Sequence, residues 1–496
     1  MTDRKQAYDY IVIGAGAAGC VVAGRLSQAM PDARIALIEA GGEKLGLATR
    51  VPGTAFIASV SAQRNWDFLT EPVPAMNGRR LRWSQGRILG GSGSINGMLY
   101  QRGHSLEYDL WAQMGCHGWS FDQVLPFFKK SETNARGAGE WHGDSGPVKV
   151  KPSRVDLPIC DAFLAAAGEA GFPVLDDLNA DVVEGFGRFD TNIDNGRRAS
   201  TAVAYVQPAR RRGNLDLLSQ TVAARIVIES GRARGVEIIR DGGRETIRAE
   251  REIVLCGGSV NSPQLLMLSG IGPAGHLAEH GIPVVLDAPA VGANLQNHPA
   301  YALTYACSQP VTAYKYLNPR AAAGVVLRYA LSGGGSLGES YVATGGFMRS
   351  DNALAVSDTI VVMAPALVTR GGMGARVRDL FPKQHGFMVQ LSCGRPLSRG
   401  HIRLANADPT AHPRIFPNYF AEPADLHALA RSVCRMRDIM RGRAIRDLIA
   451  AELVPGAAVP NEQAAIEAEI QMRGGTFFHP TGTCAMGSHD SAVVDP

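Results

Sequence analysis

Three glycines and one acid make the first chemically pointed pattern in the chain. In "DYIVIGAGAAGCVVAGRL", Asp9 to Leu26, glycines stand at 14, 16 and 19, and Glu39 follows about twenty residues after the last. That spacing suits a phosphate-binding turn. Gly14 allows the tight turn, Gly16 lets a pyrophosphate approach the backbone, and Gly19 lets the following helix pack closely on its strand. The free N–H groups at the helix start bind phosphate, and Glu39 stands where a carboxylate accepts ribose hydroxyls. A secretory signal is the rival reading, because basic residues precede the stretch and Ala18-Gly19-Cys20 offers a small-residue cleavage site; Asp9 inside the apolar run speaks against it. The ADP half is common to NAD and FAD, so this pattern predicts a dinucleotide without choosing between them. It occurs once, which predicts a single such cofactor.

Two further segments could contribute to a cofactor site. "GRILGGSGSINGMLYQRG", Gly86 to Gly103, can press its backbone against a flat ligand and supply several N–H donors, or can be a surface loop rich in turn residues. "REIVLCGGSVNSPQLLMLSGIG", Arg251 to Gly272, reads as a buried strand, a glycine turn and a helix opening at Ser262-Pro263, with proline in the favoured first turn; a purely structural βα unit would look the same. Three other motifs are weaker. "HLAEH", His276 to His280, fits a zinc-peptidase spelling but falls in a short polar helix after Gly272-Pro273 and before a strand over Ile282 to Leu286, so no metal site is expected. "GDSGP", Gly143 to Pro147, echoes serine proteases without a β-rich chain around it. "ARRRGN", Ala209 to Asn214, reads as a solvated helix end before a strand over Leu215 to Leu218.

The elements that must position these residues follow from periodicity. Tyr8 to Ile13 reads as a buried strand, a helix runs from Ala15 or Gly16 to about Met30 with Pro31 ending it, and Ile35 to Glu39 makes a second strand. At 496 residues the chain exceeds a single compact core, so two lobes are expected. Fifty basic against 46 acidic residues leave a net charge of +4, which gives no support for nucleic-acid or membrane-surface binding. No apolar stretch approaches the roughly 18 residues of a membrane helix. The eight cysteines are scattered, which predicts reduced thiols in a cytoplasmic enzyme rather than a disulfide framework.

Taken together, these segments resemble the glucose-methanol-choline (GMC) oxidoreductase family from Tyr8 to the last residue, with Gly86 to Gly103 and Gly258 to Gly272 matching its two signatures. Val291 to Pro299 and Ser398 to Phe420 add to the likeness, although Asn297 stands where many members have Asp; the flavour is that of choline-dehydrogenase-like members. The resemblance implies an α/β (α+β overall) fold: a Rossmann-like FAD-binding domain from residues 1–155, 213–305 and 463–496, and an antiparallel-sheet substrate-binding domain from 156–212 and 306–462. It implies oxidation of a small alcohol to the carbonyl by hydride transfer to flavin N5, with oxygen or another electron acceptor completing the cycle. Gly14, Gly16, Ala17, Ala18, Gly19 and Glu39 would hold the ADP moiety with Val222 at the adenine, and Arg87, Gly91, Asn96 and Met98 would lie along the pyrophosphate and isoalloxazine. Some members join a histidine covalently to the flavin; Ile95 occupies that position here, so FAD is expected to be non-covalent. "FFHPTGTCAMG", Phe477 to Gly487, matches the motif of the active-site histidine, making His479 the base or hydrogen-bond partner of the alcohol, where its type and neighbours alone suggest a core histidine. Relatives continue past Pro496 through a strand and helix carrying a second active-site residue, so the chain ending there is expected to bind FAD poorly. A non-redox lyase of the same fold and an inactive shortened product are the alternatives. "LSGGGSLGES", Leu331 to Ser340, is expected to be a mobile loop at the substrate entrance.

Overall fold

The computed structural model describes residues 7–342, 344–368 and 383–496; residues 1–6 of the expected N-terminal segment, and 343 and 369–382 of the expected 306–462 segment, lie outside the described residues. The first βαβ unit forms where the apolar spacing placed it: β1 (Ala7–Ile13), α1 (Ala17–Ala29) and β2 (Ile35–Ile38). Four further strands, β3 (Leu215–Leu218), β4 (Val222–Glu229), β5 (Arg232–Arg240) and β6 (Gly243–Leu255), complete a six-stranded sheet in the order β3-β2-β1-β6-β5-β4. The first four in that order are parallel and the last two add an antiparallel hairpin. Strand order reverses around β1, so the β1 and β6 carboxyl ends open the crevice in which such sheets bind ligands.

Both faces of this sheet are covered, which is why its strands read as unbroken apolar runs. Tyr10, Val12, Ile35 and Leu37 face α1, while Ile11, Ile13, Ala36 and Ile38 join β4–β6 on the other side. Tyr8 packs with Ile11 despite its even number, beside the point where the β1–β6 register slips: Tyr8 and Tyr10 pair with Ala249 and Glu252, so β6 carries one extra residue there. Each fully buried Val, Leu or Ile here contributes roughly 1.5–3 kcal/mol.

The second large sheet has eight strands, ordered 449–454, 299–307, 386–393, 359–364, 344–348, 185–188 and 174–175, with 475–476 pairing beside 299–307. It is antiparallel apart from the 174–175/185–188 edge. Tyr301, Leu303, Phe387, Val389 and Leu391 bury one face of it against Phe163, Phe186 and the helix Pro423–Ile439.

Local expectations fail in two instructive places. The helix after Cys256-Gly257 begins at Gly258 and runs to Leu268, so Pro263 lies inside it rather than in its first turn. The proline has no N–H to give to the Ser259 carbonyl, and Thr483 Oγ1 donates to that carbonyl at 2.5 Å instead. Ile282 to Leu286 is no buried strand: Val284, Val285 and Leu286 are exposed, and only Leu286–Asp287 pairs, with Ile271–Gly272. The strands 401–403 and 414–416 pair only with each other, apart from the large sheet. The glycine-rich 331–340 segment is tied down at its end, where Ser340 Oγ donates to the Gly97 carbonyl at 2.6 Å.

Candidate active site

A cavity of about 530 Å³ opens at the carboxyl ends of β1, β2 and β6. Its wall carries Gly14, Gly16, Ala17, Ala18, Glu39, Gly91 and Val222. The glycines divide their labour physically. Gly14 has φ +96° and a Cβ there would sit 2.5 Å from the Cys256 carbonyl oxygen; a Cβ on Gly19, which packs behind the cavity, would meet the Gly14 carbonyl at 1.9 Å. Nothing lies within 4 Å of a Cβ placed on Gly16, so that position faces open space. The α1 N-terminus has no side-chain cap and no acid in its first turn, leaving its N–H groups and positive dipole end for an anion. An elongated dinucleotide diphosphate fits this wall.

Glu39 lies at the end of β2, 6% exposed, with Oε1 accepting from the Gly41 amide at 2.8 Å and Oε2 from the Ala15 amide at 3.1 Å. Burial outweighs these amides and the nearby Arg87 and pushes its carboxyl up to about 7. Arg87 is not on the cavity wall; its guanidinium stacks over the Trp66 ring, 4.9 Å from the centroid, and Trp66 does line the cavity. Asn96 and Met98 also lie off the wall. Met98 is fully buried beside Ala55 and Ile193, and Asn96 Oδ1 accepts from its amide. Ile95 is buried against Ala58 and Ile88.

His479 does not itself line the cavity, but its segment is bound to the cavity wall at both ends. Gln85 Nε2 donates to the Phe478 carbonyl at 3.0 Å, and Ser259 Oγ donates to the Pro480 carbonyl at 2.7 Å; Gln85 and Ser259 both line the cavity. Phe478 takes φ +65°, strained for a bulky residue, and the kink turns the next side chain outward. Protein surrounds the His479 ring on several sides, yet it stays solvent-accessible and neither ring nitrogen has a hydrogen-bond partner among the described residues. Desolvation, then His298, lowers its pKa to about 4. The imidazole is neutral at pH 7 and able to accept a proton or hydrogen bond.

Two residues that sequence reasoning did not assign to the site hold this arrangement. Asn297, 5% exposed, accepts from the amides of both His298 and His479 on one oxygen, each at 2.9 Å, while its Nδ2 is buried without a partner among the described residues. His298 packs edge-to-face on His479 with ring centroids 5.6 Å apart, and its Nδ1–H donates to the Cys393 carbonyl at 2.8 Å, which leaves Nε2 unprotonated. His412 also lines the cavity, edge-on to Phe68 at 4.9 Å. The HLAEH histidines form no such site: His276 Nε2 accepts from the Leu404 amide at 2.9 Å. Among the described residues one acidic-histidine cluster has metal-ligand spacing, His142, Asp177 and Asp190, but Arg136 pairs with Asp190 at 3.0 Å and Arg102 with the adjoining Glu132 at 2.8 Å, so arginines supply the positive charge.

Against known proteins, residues 8–300 and 396–496 match the two GMC oxidoreductase family models. The chain belongs to the GMC oxidoreductase family. An oxygen-dependent choline dehydrogenase of Burkholderia multivorans is 38% identical over all of this chain and 87% of its own length, and the mitochondrial choline dehydrogenase of Mus musculus is 37% identical over 99% of this chain and 83% of its own. Among solved structures, pyridoxine 4-oxidase from Mesorbium loti is similar with a TM-score of 0.87 at 29% identity, covering 98% of this chain and 91% of that one. A formate oxidase of Aspergillus oryzae RIB40 superposes with a TM-score of 0.91 at 25% identity, covering 99% and 91%. As a GMC oxidoreductase the chain is an FAD-dependent flavoprotein that oxidises the CH–OH group of an alcohol to a carbonyl. No described helix of this GMC oxidoreductase is long and apolar enough to cross a membrane.

Proposed function

We propose that this oxidoreductase acts on a small alcohol, with His479 as the base or hydrogen-bond partner of the hydroxyl. Bound FAD supplies the two-electron acceptor. The neutral imidazole takes the hydroxyl proton or draws it into a strong hydrogen bond, alkoxide character builds on the oxygen, and electron density moves onto the carbinol carbon. Asn297 fixes the backbone from which the ring projects. Gly14, Gly16, Ala17, Ala18 and the α1 N-terminus hold the pyrophosphate, Gly19 permits that packing, Glu39 takes the ribose hydroxyls and Val222 the adenine. Arg87, Gly91, Asn96 and Met98 shape the turn under the isoalloxazine. Residues 1–155, 213–305 and 463–496 form the cofactor-binding part, and 156–212 with 306–462 the substrate-facing part.

The observation that carries this reading is an imidazole, without a hydrogen-bond partner among the described residues, held on a strained backbone at the rim of the dinucleotide cavity. FAD is bound non-covalently, because Ile95 offers no nucleophile. All eight cysteines are free thiols, in keeping with work in the cytoplasm. The test is a screen of choline, aryl alcohols and short aliphatic alcohols with a redox dye, with and without oxygen. Carbonyl formation tied to dye reduction supports the reading. An alcohol panel that leaves the dye oxidised while the flavin is fully loaded contradicts it, and dependence on oxygen alone identifies the acceptor.

A further inference from the structure

The turn Gly93–Met98 is held from behind by a buried cation that has no counter-charge among the described residues. Residues Ile193–Asp194 and Arg197–Arg198 form a two-stranded hairpin closed by Asn195-Gly196, both with positive φ, 45° and 69°, as a two-residue hairpin turn requires. The turn is wedged in place: a Cβ on Gly196 would lie 1.7 Å from the Gly333 carbonyl oxygen, and Tyr329 Oη donates to the Gly196 carbonyl at 2.9 Å. This fixed hairpin drives Arg198 inward, where it is 5% exposed.

Its guanidinium gathers carbonyls from three directions. Nε donates to the Thr49 carbonyl at 2.9 Å, Nη1 to the Gly93 carbonyl at 3.1 Å and to Asn96 Oδ1 at 2.5 Å, and Nη2 to the Asn96 carbonyl at 2.7 Å. Every acceptor is neutral. Among the described residues no carboxylate pairs with it, and the titratable group beside it is Tyr341. Burial lowers its pKa only to about 10, so it stays charged at neutral pH. Carbonyl bonds alone do not call for a charge, and burying one without a partner costs several kcal/mol. Among the described residues none supplies the anion that would offset this cost.

We propose that Arg198 is a positioning residue that sets the turn Gly93–Met98 against the flavin and keeps an unneutralised positive charge behind it, favouring the reduced, negatively charged form of the cofactor. This rests on the assignment of that turn to the isoalloxazine. A two-electron reduction leaves negative charge on the ring system, and a fixed cation in a low-dielectric setting stabilises that state over the neutral oxidised one. Asn96 is the mechanical link, gripped by the guanidinium through both its side chain and its backbone.

The experiment compares FAD-loaded wild type, Arg198→Gln and Arg198→Lys by equilibration against a reference dye, reading the two-electron midpoint potential. Arg198→Gln is expected to disfavour the reduced flavin at least tenfold, about 30 mV more negative, while Arg198→Lys, which keeps the charge, stays within threefold of wild type. An unchanged potential in flavin-loaded Arg198→Gln overturns the proposal. If the neutral variant does not fold, Arg198→Lys decides: a tenfold or larger loss despite the retained charge overturns it, and a potential near wild type supports it. A wild type that binds no FAD overturns the cofactor assignment, and this inference with it, a result distinct from any change in potential.

Discussion

Glu39 makes FAD binding a proton-linked event. Burial holds its carboxyl at about 7, although the Gly41 and Ala15 amides already donate to it. Ribose hydroxyls donating to the carboxylate favour its charged form, so binding pulls this pKa down and expels a proton wherever Glu39 starts protonated. With a free-state pKa of about 7 and a bound-state value well below it, the dissociation constant rises from its alkaline limit by about twofold at pH 7 and roughly tenfold at pH 6, close to tenfold per further unit. The sign for the empty protein is the reverse of the usual carboxylate: a raised folded pKa means stability falls as pH climbs from about 4.5 to 7, by about 3 kcal/mol in full. Calorimetric titration of FAD at several pH values, in buffers of different ionisation enthalpy, reads both the affinity and the proton count. Glu39→Gln should bind with little pH dependence below 7. If wild-type affinity is flat between pH 6 and 8, or if Glu39→Gln keeps the same slope, Glu39 does not carry the ribose.

Three further outcomes follow from packing and charge. Asn297→Ala strips the half-buried amides of His298 and His479 of their acceptor, so unfolding free energy should drop by about 1–3 kcal/mol with turnover down at least tenfold in what stays folded, while Asn297→Asp keeps the acceptor oxygen and most of the activity; denaturant titration and steady-state rates check both. A Cβ at position 16 meets no atom within 4 Å in the protein but projects into the cavity, so Gly16→Ala should keep the thermal stability of the FAD-free protein while flavin binding, followed by fluorescence, is weakened. His142 is pulled down by burial but raised more strongly by its bonds to Asp177 and Glu132, to about 9, so its stabilisation is complete below pH 6.5 and lost as pH rises through 9; denaturant midpoints should show about 2 kcal/mol lost between pH 7 and 9.5 that His142→Gln does not show.

What the sequence discloses is local. β1, α1 and β2 rest on contiguous apolar runs and on glycines whose demands act within a few residues, so their bounds and the acid at 39 are legible in one reading. Pro263 misleads because the bond that rescues the Ser259 carbonyl comes from Thr483, far along the chain. Ile282 to Leu286 misleads because an apolar run carries no mark of whether anything covers it. Asn297 stands out in sequence only as an odd residue in a motif, and its role appears once strand 299–307 and the 475–479 segment lie side by side. The Asn195-Gly196 turn is readable as a hairpin, yet nothing in it says that the arginine two residues on reaches under Asn96.

The central claim is that a neutral imidazole at residue 479 assists removal of hydride from an alcohol by bound flavin. Anaerobic rapid mixing of the flavin-loaded protein with an alcohol substrate, following loss of the yellow absorbance, tests it most directly. Wild type should bleach, with a rate that holds from pH 8 down to about 5.5 because the His479 pKa lies near 4, and His479→Ala should retain its flavin and bleach at least a hundredfold more slowly. Equal bleaching rates in the two proteins would contradict the account.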